Sequence, residues 1–330
     1  ADNNTAVGKN ALLANTTGAS NIAVGAYALD SNTTGSNNTI LGYTALGANT
    51  AGSNNVAIGY QALYTAGNIG NMTAVGYKAL YANADDGYSN TAVGYLSLTA
   101  NTTGDENTAV GRVSLEANTT GSNNTAVGYA ALDANTTANY NSAFGSHSLQ
   151  DNTTGSYNTA VGYHALSANT TAANNVAMGY HAMNTNTTGN QNVAVGTEAL
   201  EALTTANNNV AIGFRSLHVA TTGAGNHAIG GYALQSLTTG SSNMAMGYNT
   251  GGSVTTGDNN VAVGAEAAVN VTTGDNNVCL GYNAGTSSSP SGAITTGDNN
   301  FVLGNNNIAN LFCADTSISS SDARDKTDVE

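Results

Sequence analysis

The stretch Asn107-Thr108-Ala109-Val110-Gly111-Arg112-Val113-Ser114-Leu115-Glu116-Ala117-Asn118-Thr119-Thr120-Gly121-Ser122-Asn123 decides the fold, because almost every other part of the chain is a copy of it. Its central glycine belongs to a series. Gly8, Gly25, Gly42, Gly59 and Gly76 stand 17 residues apart, Gly94 follows after 18, and the 17-residue step then continues to Gly281. Gly304 closes the series after a step of 23, giving eighteen copies. A period this strict is the mark of a solenoid, in which each unit buries apolar surface only by stacking on its neighbours. Functional groups are therefore expected in columns of equivalent positions rather than in one cleft.

The 330 residues would ordinarily suggest two domains, but a solenoid grows in one dimension, so one repeat rod over 1–304 and a non-repeat tail over 305–330 are expected. Only 8% of residues are charged, and the formal charge of −14 with no basic cluster argues against binding nucleic acid. The single proline, Pro290, fits a backbone whose N–H groups are nearly all needed in ladders. No signal peptide or run of 18 apolar residues is found, so membrane insertion is not expected, and the start at Ala1 is compatible with removal of a leader. Cys279 takes a position held by Ala262 one copy earlier, which predicts a buried thiol, while Cys313 lies in the tail and implies no disulfide with it.

The residues around each central glycine, such as Thr39-Ile40-Leu41-Gly42-Tyr43 and Thr125-Ala126-Val127-Gly128-Tyr129, read as a strand. A second short strand is predicted at Ala11-Leu12, Ala28-Leu29 and Ala45-Leu46, followed by a turn at Asn-Thr-Thr-Gly-Ser-Asn. The fold class is therefore all-β, a parallel β-solenoid or β-roll of about eighteen 17-residue coils. At a strand spacing of ~4.8 Å the rod would be roughly 85 Å long.

Because side chains alternate along a strand, Thr5 and Val7 share one face and Ala6 and Gly8 the other. The Val column and the Leu column (Leu12, Leu29, Leu46 and onward) are assigned to the interior, and the Ala/Gly face to close contact with another copy of the chain. The converse, small residues filling a narrow interior, is the alternative, since alternation does not choose the inward face. A change of cross-section is expected near residue 240. There Gly251, Ala268 and Gly285 replace Leu, and Leu237, Val254 and Val271 replace Asn.

Four columns carry polar or aromatic chemistry. Asn15, Asn32, Asn49, Asn83 and their successors predict stacked side-chain amides, although the Asn-Thr-Thr context of many of them, Asn15 and Asn32 among these, also reads as a glycosylation sequon. Tyr43, Tyr60, Tyr77, Tyr95, Tyr129, Tyr163 and Tyr180 form an aromatic ribbon suited either to sugar rings or to packing between protomers. His147, His164 and His181 occupy one position in successive coils, where Ala130 and Glu198 also stand, which favours a surface role over a metal site. Thr-Thr pairs such as Thr102-Thr103 raise an ice-binding reading, and Asp258, Asp275 and Asp298 suggest turn capping or a cation. The repeats contain no phosphate loop, paired-carboxylate cleft or metal motif, so neither catalysis, cofactor nor bound metal is expected of the rod.

Beyond Gly304, Ser319-Ser320-Ser321-Asp322-Ala323-Arg324-Asp325-Lys326 resembles the junction of phage tail fibres that carry a C-terminal intramolecular chaperone autoprotease. The repeats are similar to those of phage tail fibres and of trimeric autotransporter adhesin heads, which form left-handed parallel β-rolls in homotrimers. The resemblance implies Ser321 as a self-cleavage nucleophile and Lys326 as the residue that activates it, with scission between Ser320 and Ser321. It also implies a homotrimeric fibre shaft of a virion tail, extracellular in operation. Its partners would be copies of itself, other tail proteins and a host cell-surface glycan or protein. A bacterial trimeric surface adhesin and an ice-binding solenoid are the alternatives.

Overall fold

The computed structural model describes residues 2–84 and 87–310. Each coil contributes one three-residue strand, from β1 (Thr5–Val7) to β18 (Phe301–Leu303), and the strands follow one another in chain order in a single parallel sheet. Among the described residues there is no helix. The register is that of the repeat: Thr108 pairs with Thr125, Ala109 with Ala126 and Val110 with Val127. It survives both irregular steps, since Thr73 pairs with Thr91 across the 18-residue coil and Val278 with Phe301 across the 23-residue one. The long coil carries Pro290 in a loop closed by the Ile294 N–H donating to the Gly285 carbonyl at 3.0 Å.

The second strand predicted at Ala-Leu does not form. In its place runs a series of turns, because residues two and four after each central glycine have positive φ, 50° at Ala130 and 52° at Leu132. A chain that alternates into the left-handed region cannot pleat. Hydrogen bonding between coils continues through the turns all the same: the Leu132 N–H donates to the Ser148 carbonyl at 3.0 Å, and that of Ala134 to Gln150 at 3.0 Å. A left-handed leucine costs ~1–2 kcal/mol, which burial of the side chain at ~1.5–3 kcal/mol offsets. Leu132 and its equivalents Leu115 and Leu149 are fully buried.

The two faces of the strand are reversed from the sequence expectation. Ala109, Ala126 and Ala143 point inward and are fully buried, whereas Val7, Leu41, Phe144 and Met246 point outward and are exposed. The Ala column therefore fills a narrow interior and makes no surface for another copy. The interior also holds the leucine and two asparagine columns, and beside them the inward strand position takes alanine at nearly every level, with the larger Ile40 and Val302 accommodated at two of them. Cys279 follows the same rule, buried in register with Ala262.

Both asparagine columns are interior. Asn118 Nδ2 donates to Asn101 Oδ1 at 2.8 Å in the coil before and to the Gly121 carbonyl at 3.0 Å in its own turn. The second column was not singled out from the sequence. Its member Asn124 donates its backbone N–H to Asn107 Oδ1 at 3.0 Å and its Nδ2 to the Ala138 carbonyl at 2.8 Å. Among the described residues no buried side-chain nitrogen or oxygen lacks a partner, so these amides stay inside without desolvation penalty. The change of cross-section begins earlier than expected, where Leu203 and then Ala220 take the place of Asn186. Further on, Gly251 makes room: a Cβ there would lie 2.9 Å from Leu234 Cδ2 and 3.5 Å from Val254 Cγ2. Small and large apolar residues have exchanged columns here, Gly251 and Ala268 standing where Leu stood and Val254 and Val271 where Asn stood.

Candidate functional site: an aromatic and ionisable ridge

The turn after each strand projects the first, second and fifth residues beyond the central glycine onto one ridge. Because the coils stack in register, each position becomes a column of rings and charges at strand spacing. Tyr43 stacks on Tyr60 at 5.5 Å between ring centroids, Tyr60 on Tyr77 at 5.3 Å and Tyr77 on Tyr95 at 5.2 Å, all within 12° of parallel. Arg112 interrupts the column and lies over the rings of Tyr95 and Tyr129 at 5.7 and 5.3 Å. Tyr129 then meets His147 edge-on, and Tyr163 stacks on Tyr180 at 5.7 Å. All seven tyrosines singled out from the sequence are thus exposed on one ridge, at 41–49%. Ring faces are covered by neighbouring tyrosines from Tyr43 to Tyr95 and between Tyr163 and Tyr180, whereas Tyr129 stacks on none of the others.

Sequence reasoning missed a parallel column, in which Tyr64 stacks on Tyr81 at 5.5 Å. The signal was there, since both stand five residues after a central glycine. Where that column reaches Gly47 it has a gap. The missing side chain leaves a groove of about 430 Å³ lined by Tyr27, Asp30, Tyr43, Thr44, Gly47 and Tyr64. Here an aromatic wall, a carboxylate and a hydroxyl converge on open space. The carboxyl of Asp30 is held above its ordinary range by burial, against hydrogen bonds from its own and the Ser31 backbone.

The histidine column also forms as a stack. His147 and His164 lie 4.6 Å apart and 5° from parallel, and His181 lies edge-on to His164 at 5.5 Å. Burial and the two flanking imidazoles hold His164 below the ordinary histidine range, with Asp151 pulling the other way. Farther along, Arg215 Nε donates to Glu198 Oε2 at 2.5 Å. That hydrogen bond lowers the Glu198 carboxyl and raises the Arg215 guanidinium.

The other columns are structural. The first threonine of each pair spends its hydroxyl on the next coil, Thr119 Oγ1 donating to the Thr136 carbonyl at 3.0 Å. That leaves one free hydroxyl per pair for the flat array an ice-binding reading needs. The amides of the sequon asparagines from Asn32 to Asn186 are buried and bonded, so glycosylation has no access to them in the folded coil. Asp258 and Asp275 do not cap their own turns: Ser241 N–H donates to Asp258, and Asp258 N–H to Asp275 Oδ1 at 2.8 Å, each across a coil. Ser321 and Lys326 lie outside the described residues. No helix among the described residues is long and apolar enough to cross a membrane.

Protein-family models and curated proteins give no match to this chain. Its class rests on its own geometry, that of a parallel β-solenoid repeat protein.

Proposed function

We propose that this chain is the shaft of an extracellular fibre of the phage-tail kind, a homotrimer whose ridge contacts the host surface and which turns over no substrate. The observation that carries the reading is the outer face of the sheet. The third residue of every strand, from Val7 to Leu303, is apolar and none is buried within the chain. A stripe roughly 85 Å long and one strand wide offers on the order of 800 Å², more than isolated monomers usually expose and about what each partner gives to a stable interface. Three copies with these faces around a common long axis would cover it.

On this reading host contact falls at the Gly47 groove, where Tyr64 presents a ring to a sugar face and Asp30 accepts from sugar hydroxyls. The grooves of three chains would sum weak contacts. The test is the mass in solution of the full chain and of a Val110→Asp, Val127→Asp double variant. A three-chain particle that the variant dissociates without loss of circular dichroism is expected, and a single-chain mass for the unaltered protein at micromolar concentration refutes the reading. Labelled rods binding to bacterial cells, with Asp30→Asn and Tyr64→Ala variants that bind less, test the groove.

A further inference from the structure

Glu198, Glu201 and His218 come from two successive coils, and one ligand atom from each lies within 4.8 Å of the others. Glu201 stands between two imidazoles: its Oε1 is 3.3 Å from His181 Nδ1 and its Oε2 is 3.3 Å from His218 Nδ1. His218 Nδ1 also lies 3.4 Å from the Glu198 carbonyl oxygen. Arg215 occupies Oε2 of Glu198. The repeat does not demand this grouping, because the equivalent positions elsewhere hold Tyr64, Gln61, Ser167 and Ala130. Among the described residues it is the one group of this composition.

We propose that Glu198, Glu201 and His218 bind a divalent transition-metal ion of the zinc, cobalt or nickel kind, which ties two coils of the rod together. Two carboxylate oxygens and one imidazole nitrogen suit such borderline ions and disfavour calcium, which takes oxygen ligands alone. Around an ion at ~2.1 Å, tetrahedral ligands lie ~3.4 Å apart, so the three atoms, now within 4.8 Å of one another, must close by up to ~1.4 Å. All three side chains are half-buried and project from turns, which leaves them room to do so. His181 holds the far oxygen of Glu201 and Arg215 orients Glu198, the support from neighbouring groups that metal ligands need. Three protein ligands leave the remaining coordination positions to water.

The experiment is titration of the full chain, free of any affinity tag, with Zn²⁺ by calorimetry and with Co²⁺ by visible absorption. One ion per chain is expected, with uptake weakening as pH falls from about 7.5 to about 5.5, because imidazole must be unprotonated to ligate. Glu201→Gln and His218→Gln should each weaken binding by about tenfold or more, and His147→Gln should leave it unchanged. Circular dichroism of each variant separates loss of ligand from loss of fold. Absence of saturable uptake, full uptake by a Glu201→Gln, His218→Gln double variant, or equal loss on His147→Gln overturns the proposal.

Discussion

Replacing Gly145 by alanine perturbs the stacking of the rod at one level, and the structure sets the size of the effect. Gly145 has φ of +135°, and a Cβ on it would lie 2.5 Å from the Gly162 carbonyl oxygen and 2.7 Å from its carbon. Ordinary contact begins at about 3.4 Å, so the two coils must part locally by ~0.9 Å. The bonds that resist are those from the Gly162 N–H to the Phe144 carbonyl at 2.8 Å and from the His164 N–H to the Ser146 carbonyl at 3.1 Å. Opening both costs ~0.5–1.5 kcal/mol each, and the backbone conformation adds ~1–3 kcal/mol, for a total of roughly 2–6 kcal/mol. Gly225→Asn is the control. Its φ is +69°, nothing lies closer than 3.8 Å to its Cβ position, and the neighbouring coils hold Asn208 at 62° and Ser242 at 59°. A change within about 0.5 kcal/mol is expected there. Urea unfolding followed by circular dichroism ranks the two. Amide exchange locates the damage, which in a nearest-neighbour array should centre on the coils flanking Gly145. Equal midpoints for Gly145→Ala and the unaltered chain, or equal losses in the two variants, would refute the close-packing argument.

Asn135→Ala should lower stability by about 1–3 kcal/mol in the same assay, since it removes the bonds to Asn118 Oδ1 and the Ala138 carbonyl and takes one of two acceptors from Asn152 Nδ2, which keeps the Gly155 carbonyl. Asn186→Leu, at the end of that column and next to Leu203, should cost less because no asparagine of a later coil donates to it and, among the described residues, the Gly189 N–H alone loses an acceptor. The Asp133 carboxyl is held above its ordinary value first by burial and then by Asp151, with His147 opposing. Ionising it therefore costs the folded state stability at neutral pH, a cost that shrinks as pH falls below the raised value and is gone below the ordinary carboxylate value. Asp133→Asn should raise the urea midpoint at about pH 7 and leave it unchanged at about pH 3. The Cys279 thiol, pushed up to about 11 by burial, should resist alkylation in the folded chain and react on unfolding, as peptide mapping would record.

How much was legible in the sequence follows from what each signal encodes. The glycine period gave the register without error, because one residue type is required wherever the backbone of the next coil approaches within a Cβ radius. The first asparagine column was equally readable, since interior amides must recur to satisfy one another. The second strand was misread at Ala28-Leu29 and its equivalents because side-chain pattern does not report φ, and a leucine in the left-handed region looks the same as one in a strand. The cluster of Glu198, Glu201 and His218 was passed over for a different reason. Its members lie 3 to 20 residues apart, and nothing local marks residues 201 and 218 as neighbours until the coil length and turn geometry are both in hand.

The repeat by itself determined that this chain is a parallel stack of coils, because a 17-residue unit too small to bury its own apolar groups must lean on identical neighbours. Only the tertiary structure decided which side of the strand faces in. Alternation divides Thr and Val from Ala but treats the two sides alike. The space left beside one leucine and two asparagine columns is filled by alanine at nearly every level, with Ile40 and Val302 the larger exceptions. That steric choice puts the valines on the outside, and with them the surface on which the rod's assembly is proposed to depend.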